Sequence, residues 1–448
     1  MKRIIAIAAC VAAVSSNTLW AAEPVDMQKR ATELKNLHWG MFVCWSFSTF
    51  SGEEWTPGVK NIAAFRATGC DTDQWARTAK EAGMGYILFL TKHHDGFCLW
   101  DTKTTARRVT RAPLGRDVLA ELRKSCDKYG IRLALYFSLG EFADNKDYHP
   151  GGYTPEMHKA QLKELCTQYG PIEFFWMDCA QGNGGLDRKE IAAWVKRFQP
   201  GCFVGFNGGG AGDLRAGEMG RPGPVKDFLV GEFTYPILPA HAGGACWFYS
   251  LPQHDGLCRS AKSLYRDYVG AVKFGNIFSL DVGPDYQGRL RKIDVETLLD
   301  VGQMLKQVLP AEPTALSEGK AAKASSTWGP GYEADKAFDG GDDSRWGAAA
   351  GARSGWLEVD LGTPTMVGRA VIKELAYPRT QEFAVEYNDG AAWKPLVTGA
   401  RIDGEKAFHF APVTARQFRL HILKASEVPT IEEFQLFPPA GTESKSSK

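Results

Sequence analysis

The sequence predicts a multidomain chain, α/β then all-β: a (β/α)8 TIM-like barrel followed by a β-sandwich. Three observations carry that expectation. Up to about residue 310, short β-rich runs alternate with amphipathic helical stretches, which is the pattern of a parallel sheet wound with helices. After Pro310 the chain turns small, polar and Pro-containing, and no cysteine follows. From about residue 321, short alternating runs are separated by turn residues, as in a sandwich. The chain has 448 residues, more than one hydrophobic core usually spans.

Taken in order, residues 1–22 read as a signal peptide: Lys2 and Arg3, an apolar run, then small residues at Ala21 and Ala22. The apolar run is too short to anchor in a bilayer, and no later stretch approaches the length of a span. Export to the periplasm or medium is therefore expected. A lipoprotein reading of Cys10 is disfavoured, since the cysteine lies close to the start and apolar sequence continues beyond it.

The barrel is expected over 23–310, with strands at 39–47, 86–91, 132–137, 173–178, 202–206, 228–231, 245–248 and 276–281. Helices are expected between them at 72–82, 117–129, 155–169, 188–198, 261–274 and 290–308. A doubly wound open sheet is the alternative, but no glycine-rich phosphate loop follows the first strand. Residues 311–320 read as a linker, 321–438 as the sandwich and 439–448 as a disordered tail.

Charge narrows the partners. There are 53 basic and 52 acidic residues, a net +1, which gives no reason to expect nucleic acid or an anionic membrane. Aromatic content is 12% with 13 Trp, and flat apolar faces of that kind suit sugar rings as well as a large core. Of ten cysteines, Cys10 lies in the leader and the rest fall between Cys44 and Cys258, an odd number without the spacing of a disulfide framework or a zinc site.

The chemistry-bearing residues start with Asp178. The run Ile172 to Met177 delivers it to the end of a buried strand, where barrel enzymes display catalytic groups. A second acid is sought in the glycine-rich stretch 208–224, which offers Asp213 and Glu218; Glu232 is a further rival. In a retaining glycosidase two carboxyls stand about 5 to 5.5 Å apart, one as nucleophile and one as acid/base. The segment TKHHDGF at 91–97 packs two imidazoles and a carboxylate into one turn. His93 and His94 could exchange hydrogen bonds with sugar hydroxyls, or with Asp95 hold a metal, although no other His cluster appears. Trp45, Glu54 and Trp55 add an acceptor and apolar platforms.

Together these segments resemble glycoside hydrolase family 29, the α-L-fucosidases. The resemblance covers most of 35–310 and rests on WGMFVCWS (39–46), EWT (54–56), TKHHDGF, LYFS (135–138), WMD (176–178), GDLRAGE (212–218) and GNIFSLDVGPDYQG (275–288). It implies a retaining exo-α-L-fucosidase without a catalytic cofactor, with Asp178 as nucleophile and Glu218 as acid/base. Trp45, Glu54, Trp55, His93, His94, Tyr136 and Trp176 become sugar-contacting positions, and a fucosylated oligosaccharide or glycoprotein glycan the substrate. One departure stands out: Cys44-Trp45-Ser46 replaces the family's usual HWG, which leaves room for a related L-sugar. The C-terminal segment resembles the coagulation factor 5/8 type C, or discoidin, sandwich and carbohydrate-binding module family 32, through KAFDGGDDSRW (336–346), GWLEVDLG (355–362) and IEEFQLF (431–437). That resemblance implies a structural Ca²⁺ held by Asp339 or Asp342 with Glu433. The rival functions are a noncatalytic glycan-binding or adhesion protein, and a metal-dependent hydrolase built on the HHD segment.

Overall fold

The computed structural model describes residues 25–142, 153–218, 222–239, 244–249, 251–307, 315–341, 344–374, 379–402 and 404–439. The expected leader, most of the expected linker and nearly all of the expected tail lie outside them. Eight strands close a parallel barrel: β1 (Trp39–Val43), β2 (Tyr86–Lys92), β3 (Arg132–Ser138), β4 (Phe174–Asp178), β5 (Phe203–Phe206), β6 (Leu214–Arg215), β7 (Val230–Pro236) and β8 (Ile277–Asp281). Neighbours pair in sequence order, and β1 also pairs with β8 through Trp39 to Phe42.

Several helices between the strands begin where a side chain caps them. Asp71 accepts from the Gln74 N–H, Asp117 from Ala120, Thr154 from Met157 and Ser260 from Ser263. Each satisfies a backbone donor that the first helical turn leaves free. Their apolar faces cover strands that are themselves buried along nearly their whole length, the continuous burial expected when helices cover a parallel sheet.

Two strand expectations are corrected. The sixth strand is not 228–231 but the two residues Leu214–Arg215, inside the glycine-rich stretch read as loop; 230–231 instead open β7, which runs on to Pro236. Residues 245–248 form no strand. Gly212 makes β6 fit: its φ is 85°, and a Cβ there would stand 2.0 Å from the Val204 carbonyl oxygen. Only glycine tolerates both.

The C-terminal part is an antiparallel sheet of β9 (Ala321–Ala324), β10 (Trp346–Gly347), β11 (Gly355–Glu374), β12 (Thr380–Asn388), β13 (Trp393–Gly399), β14 (Glu405–Ala425) and β15 (Thr430–Phe437). The long β11 and β14 pair with register breaks between Asp360 and Thr365 and between Val367 and Arg369. Breaks of this kind bend paired strands. Leu357, Val359, Phe383, Phe418, Leu420 and Phe434 fill a core distinct from that of the barrel. All the cysteines from Cys44 to Cys258 are free thiols.

Candidate active site

The strand ends bring Asp178, Tyr136, Ser138, His93 and His94 to one mouth of the barrel. β3 and β4 pair with Tyr136 opposite Trp176 and Ser138 opposite Asp178. That register stacks the Tyr136 ring on Trp176, centroids 5.4 Å apart and planes at 17°. It also lets the Tyr136 hydroxyl donate to Asp178 Oδ2 at 2.6 Å. Asp178 Oδ1 accepts from the Ala180 N–H at 2.9 Å. The carboxylate is 4% exposed, so these donors fix its orientation.

His94 is oriented by Ser138. The Ser138 hydroxyl lies 2.8 Å from the Gly140 carbonyl and 2.6 Å from His94 Nδ1. If the hydroxyl donates to the carbonyl, Nδ1 carries the imidazole proton and Nε2 is left as an acceptor. Nε2 lies 3.5 Å from Asp178 Oδ2. Burial, then the neighbouring His93, pulls the His94 pKa down to about 4, and burial does the same for His93, to about 4. Both rings are therefore neutral at ordinary pH. They lie against each other with centroids 4.4 Å apart, His93 with Phe248 at its edge. Neutral imidazoles beside a carboxylate suit hydroxyl recognition, since each offers one donor and one acceptor.

Glu218 sits just beyond β6, bridged to Thr234 of β7. Its Oε1 accepts from Asn207 Nδ2 at 3.1 Å. The residue is open to solvent on one side and crowded by protein on the others. That crowding first, then the charges of Asp178 and Glu54, raises its pKa to about 7. Glu54 is held by the segment after β7, its Oε2 accepting from the Cys246 and Trp247 N–H groups at 2.9 and 3.3 Å. Trp55 beside it is 53% exposed, its ring at right angles to His94 and also near Phe142.

The rival acids are drawn elsewhere. Asp213 stitches β5 to β6, accepting from the Val204 N–H at 2.7 Å and pairing with Lys196 at 2.5 Å. Glu232 lies inside the barrel wall on β7 and accepts from Trp176 Nε1 at 2.9 Å. Asp95 accepts from the Thr56 hydroxyl and from the Phe97 N–H. No group of three metal-ligating side chains stands together among the described residues, so the metal-hydrolase geometry does not form there.

Two expected sugar contacts are corrected. Trp45 is fully buried, its indole N–H on the Asp285 carbonyl at 3.0 Å and its ring edge-on to Phe65 and Trp75. Trp176 is fully buried as well, under Tyr136 and tied to Glu232. Both build the wall rather than a platform. Cys44 follows β1 directly and is buried; burial, and then Asp281 at the end of β8, pushes its thiol pKa far up. The sequence reading missed Ser138, Asn207 and the Cys246–Trp247 backbone. Ser138 and Asn207 carried a signal, each a polar residue closing or following an apolar strand.

In the C-terminal part, Asp339 accepts from the Gly341 N–H and from the Ser344 hydroxyl. Glu433 is 2% exposed on β15. Asp342 lies outside the described residues.

The sequence profile of the family described as Alpha-L-fucosidase matches residues 8–308, and that of the F5/8 type C domain matches residues 321–434. Alpha-L-fucosidase 1 of Arabidopsis thaliana is 24% identical over 445 residues, covering 89% of this chain and 84% of that protein. Plasma alpha-L-fucosidase of Homo sapiens is 24% identical over 314 residues, covering 60% of this chain and 65% of that protein. A solved Ruminococcus gnavus GH29 fucosidase in complex with fucose, 21% identical, aligns with a TM-score of 0.50 over 93% of this chain and 95% of that one, a likeness of fold.

Proposed function

The chain belongs to the alpha-L-fucosidase family and is a glycoside hydrolase carrying an F5/8 type C domain, and from that premise we propose that it is an exported, retaining exo-α-L-fucosidase. Asp178 attacks the anomeric carbon while Glu218 protonates the departing oxygen. The resulting ester removes the charge that raised Glu218, which then ionises more readily and activates water for the second displacement. His93, His94 and Glu54 take sugar hydroxyls, and Trp55 offers an apolar face to the ring or to the next residue of a fucosylated glycan. Tyr136 holds the nucleophile.

The observation that carries this reading is the contrast between the two acids. One is buried and held by fixed donors at a strand end; the other is half open, and the protein crowded around it, then the charges of Asp178 and Glu54, keep it protonated to about pH 7. That is the division of labour a double displacement requires. NMR of the first-formed sugar tests it: retention gives the α-anomer before mutarotation, and a β-anomer would make the enzyme inverting.

A structural calcium in the C-terminal domain is part of the same proposal. Asp339 or Asp342, with Glu433, would hold it through oxygen, and it would pin the turn to the last strand. Loss of thermal stability in chelator, restored by Ca²⁺, is the expected result.

A further inference from the structure

Glu232 has no part in the chemistry just described, and its position is unusual. It is 4% exposed in β7, where a carboxylate is costly unless it is bonded. Oε2 accepts from the Trp176 indole at 2.9 Å, and Oε1 is buried without a hydrogen-bond partner among the described residues. Ser279, its hydroxyl 2.8 Å from that of Tyr86, lies on the neighbouring strand β8. A leucine could fill this space without burying a carboxyl group. It could not accept from the indole.

From Trp176 the contacts run in one direction. The indole stacks on Tyr136, its register partner on β3, and the Tyr136 hydroxyl donates to Asp178 at 2.6 Å, a short charge-assisted bond. We propose that Glu232 is a positioning residue for the nucleophile: it locks the plane of Trp176, Trp176 sets the Tyr136 ring, and Tyr136 aims and holds the Asp178 carboxylate. The inference rests on the reading of Asp178 as nucleophile. The groups that face Glu232 are Trp176 on β4, Ser279 on β8, Tyr86 on β2, the backbone of Gly217 and Glu218, which is bridged to Thr234 two residues along β7; burial raises the Glu232 pKa to about 7, opposed by the neighbouring Ser279, Trp176 and Gly217 and reinforced by Glu218. Ionisation near neutrality thus strengthens an acceptor already in place.

The test is a double-mutant cycle on the full-length protein with an activated aryl α-L-fucoside. Glu232→Leu and Tyr136→Phe should each lower kcat by roughly 10- to 100-fold with KM nearly unchanged, and each should shift the acid limb of the kcat/KM profile to higher pH. Because both act on one hydrogen bond, the double variant should be little worse than either single one. Glu232→Gln, which keeps an oxygen acceptor for the indole, should recover most of what Glu232→Leu loses. If Glu232→Leu does not fold, Trp176→Phe replaces it in the cycle with the same expectation. Multiplying effects, or an unmoved acid limb, would overturn the positioning role while an inactive Asp178→Asn left the nucleophile standing. An active Asp178→Asn would instead remove the nucleophile and the inference together.

Discussion

At the scale of single residues, two carboxylates of similar intrinsic acidity are given different tasks by their neighbours. Asp178 is gripped by Tyr136 and by the backbone at Ala180, whereas Glu218 has one amide partner and two acidic neighbours. Asp178→Ala should abolish turnover and be partly rescued by azide as a glycosyl azide of inverted configuration, because a small anion can occupy the vacated space. For Glu218 the sign follows from its raised pKa: the protonated acid persists up to about 7, so kcat/KM should hold below that pH and fall above it. Glu218→Gln should flatten this limb. It should also slow a natural glycan severely and an activated aryl fucoside much less, since only a basic leaving oxygen needs the proton. The aromatic corrections give a matching pair of expectations. Trp45→Ala should cost about 3 to 5 kcal/mol of stability, as for a large core side chain, while Trp55→Ala should leave stability alone and raise KM for an oligosaccharide by about tenfold, the loss of roughly 1.4 kcal/mol.

At the scale of elements, the site depends on β6, the shortest strand of the barrel. Gly212 lets it approach β5, Asp213 ties the two together, and Glu218 follows three residues after Arg215. Gly212→Ala should therefore destabilise the fold and lower kcat together, through a clash with Val204 that backbone movement at β6 must relieve; unfolding curves alongside kinetics on an aryl fucoside would show whether the two losses coincide. This is also where sequence pattern ran out. Two residues between glycines have no period to read, so β6 passed for loop and its place in the count went to 228–231. The strand carrying Asp178 was legible because an apolar run ending in a lone acid has few other uses in a barrel. Trp45 and Trp55 show the opposite case: both are tryptophans beyond the first strand, and nothing in their spacing tells which face of the following turn will be covered.

At the scale of the whole molecule, the barrel and the C-terminal sheet each close their own core. Cutting the chain after residue 310 should leave hydrolysis of a small aryl fucoside largely intact and weaken action on a polymeric or mucin-type substrate, and the fragment from residue 321 should fold alone. A fragment unfolded with and without Ca²⁺ would count against that boundary. Both parts serve the claim that Asp178 bonds covalently to the sugar with Glu218 managing the protons. A 2-fluoro fucosyl fluoride would test it most directly, since slow breakdown of the intermediate leaves the nucleophile labelled for peptide mass spectrometry. One fluorofucosyl group per chain is expected, on Asp178, released by azide. A label on Glu218 or Glu232, or turnover to a β-anomer with no labelled peptide, would contradict it.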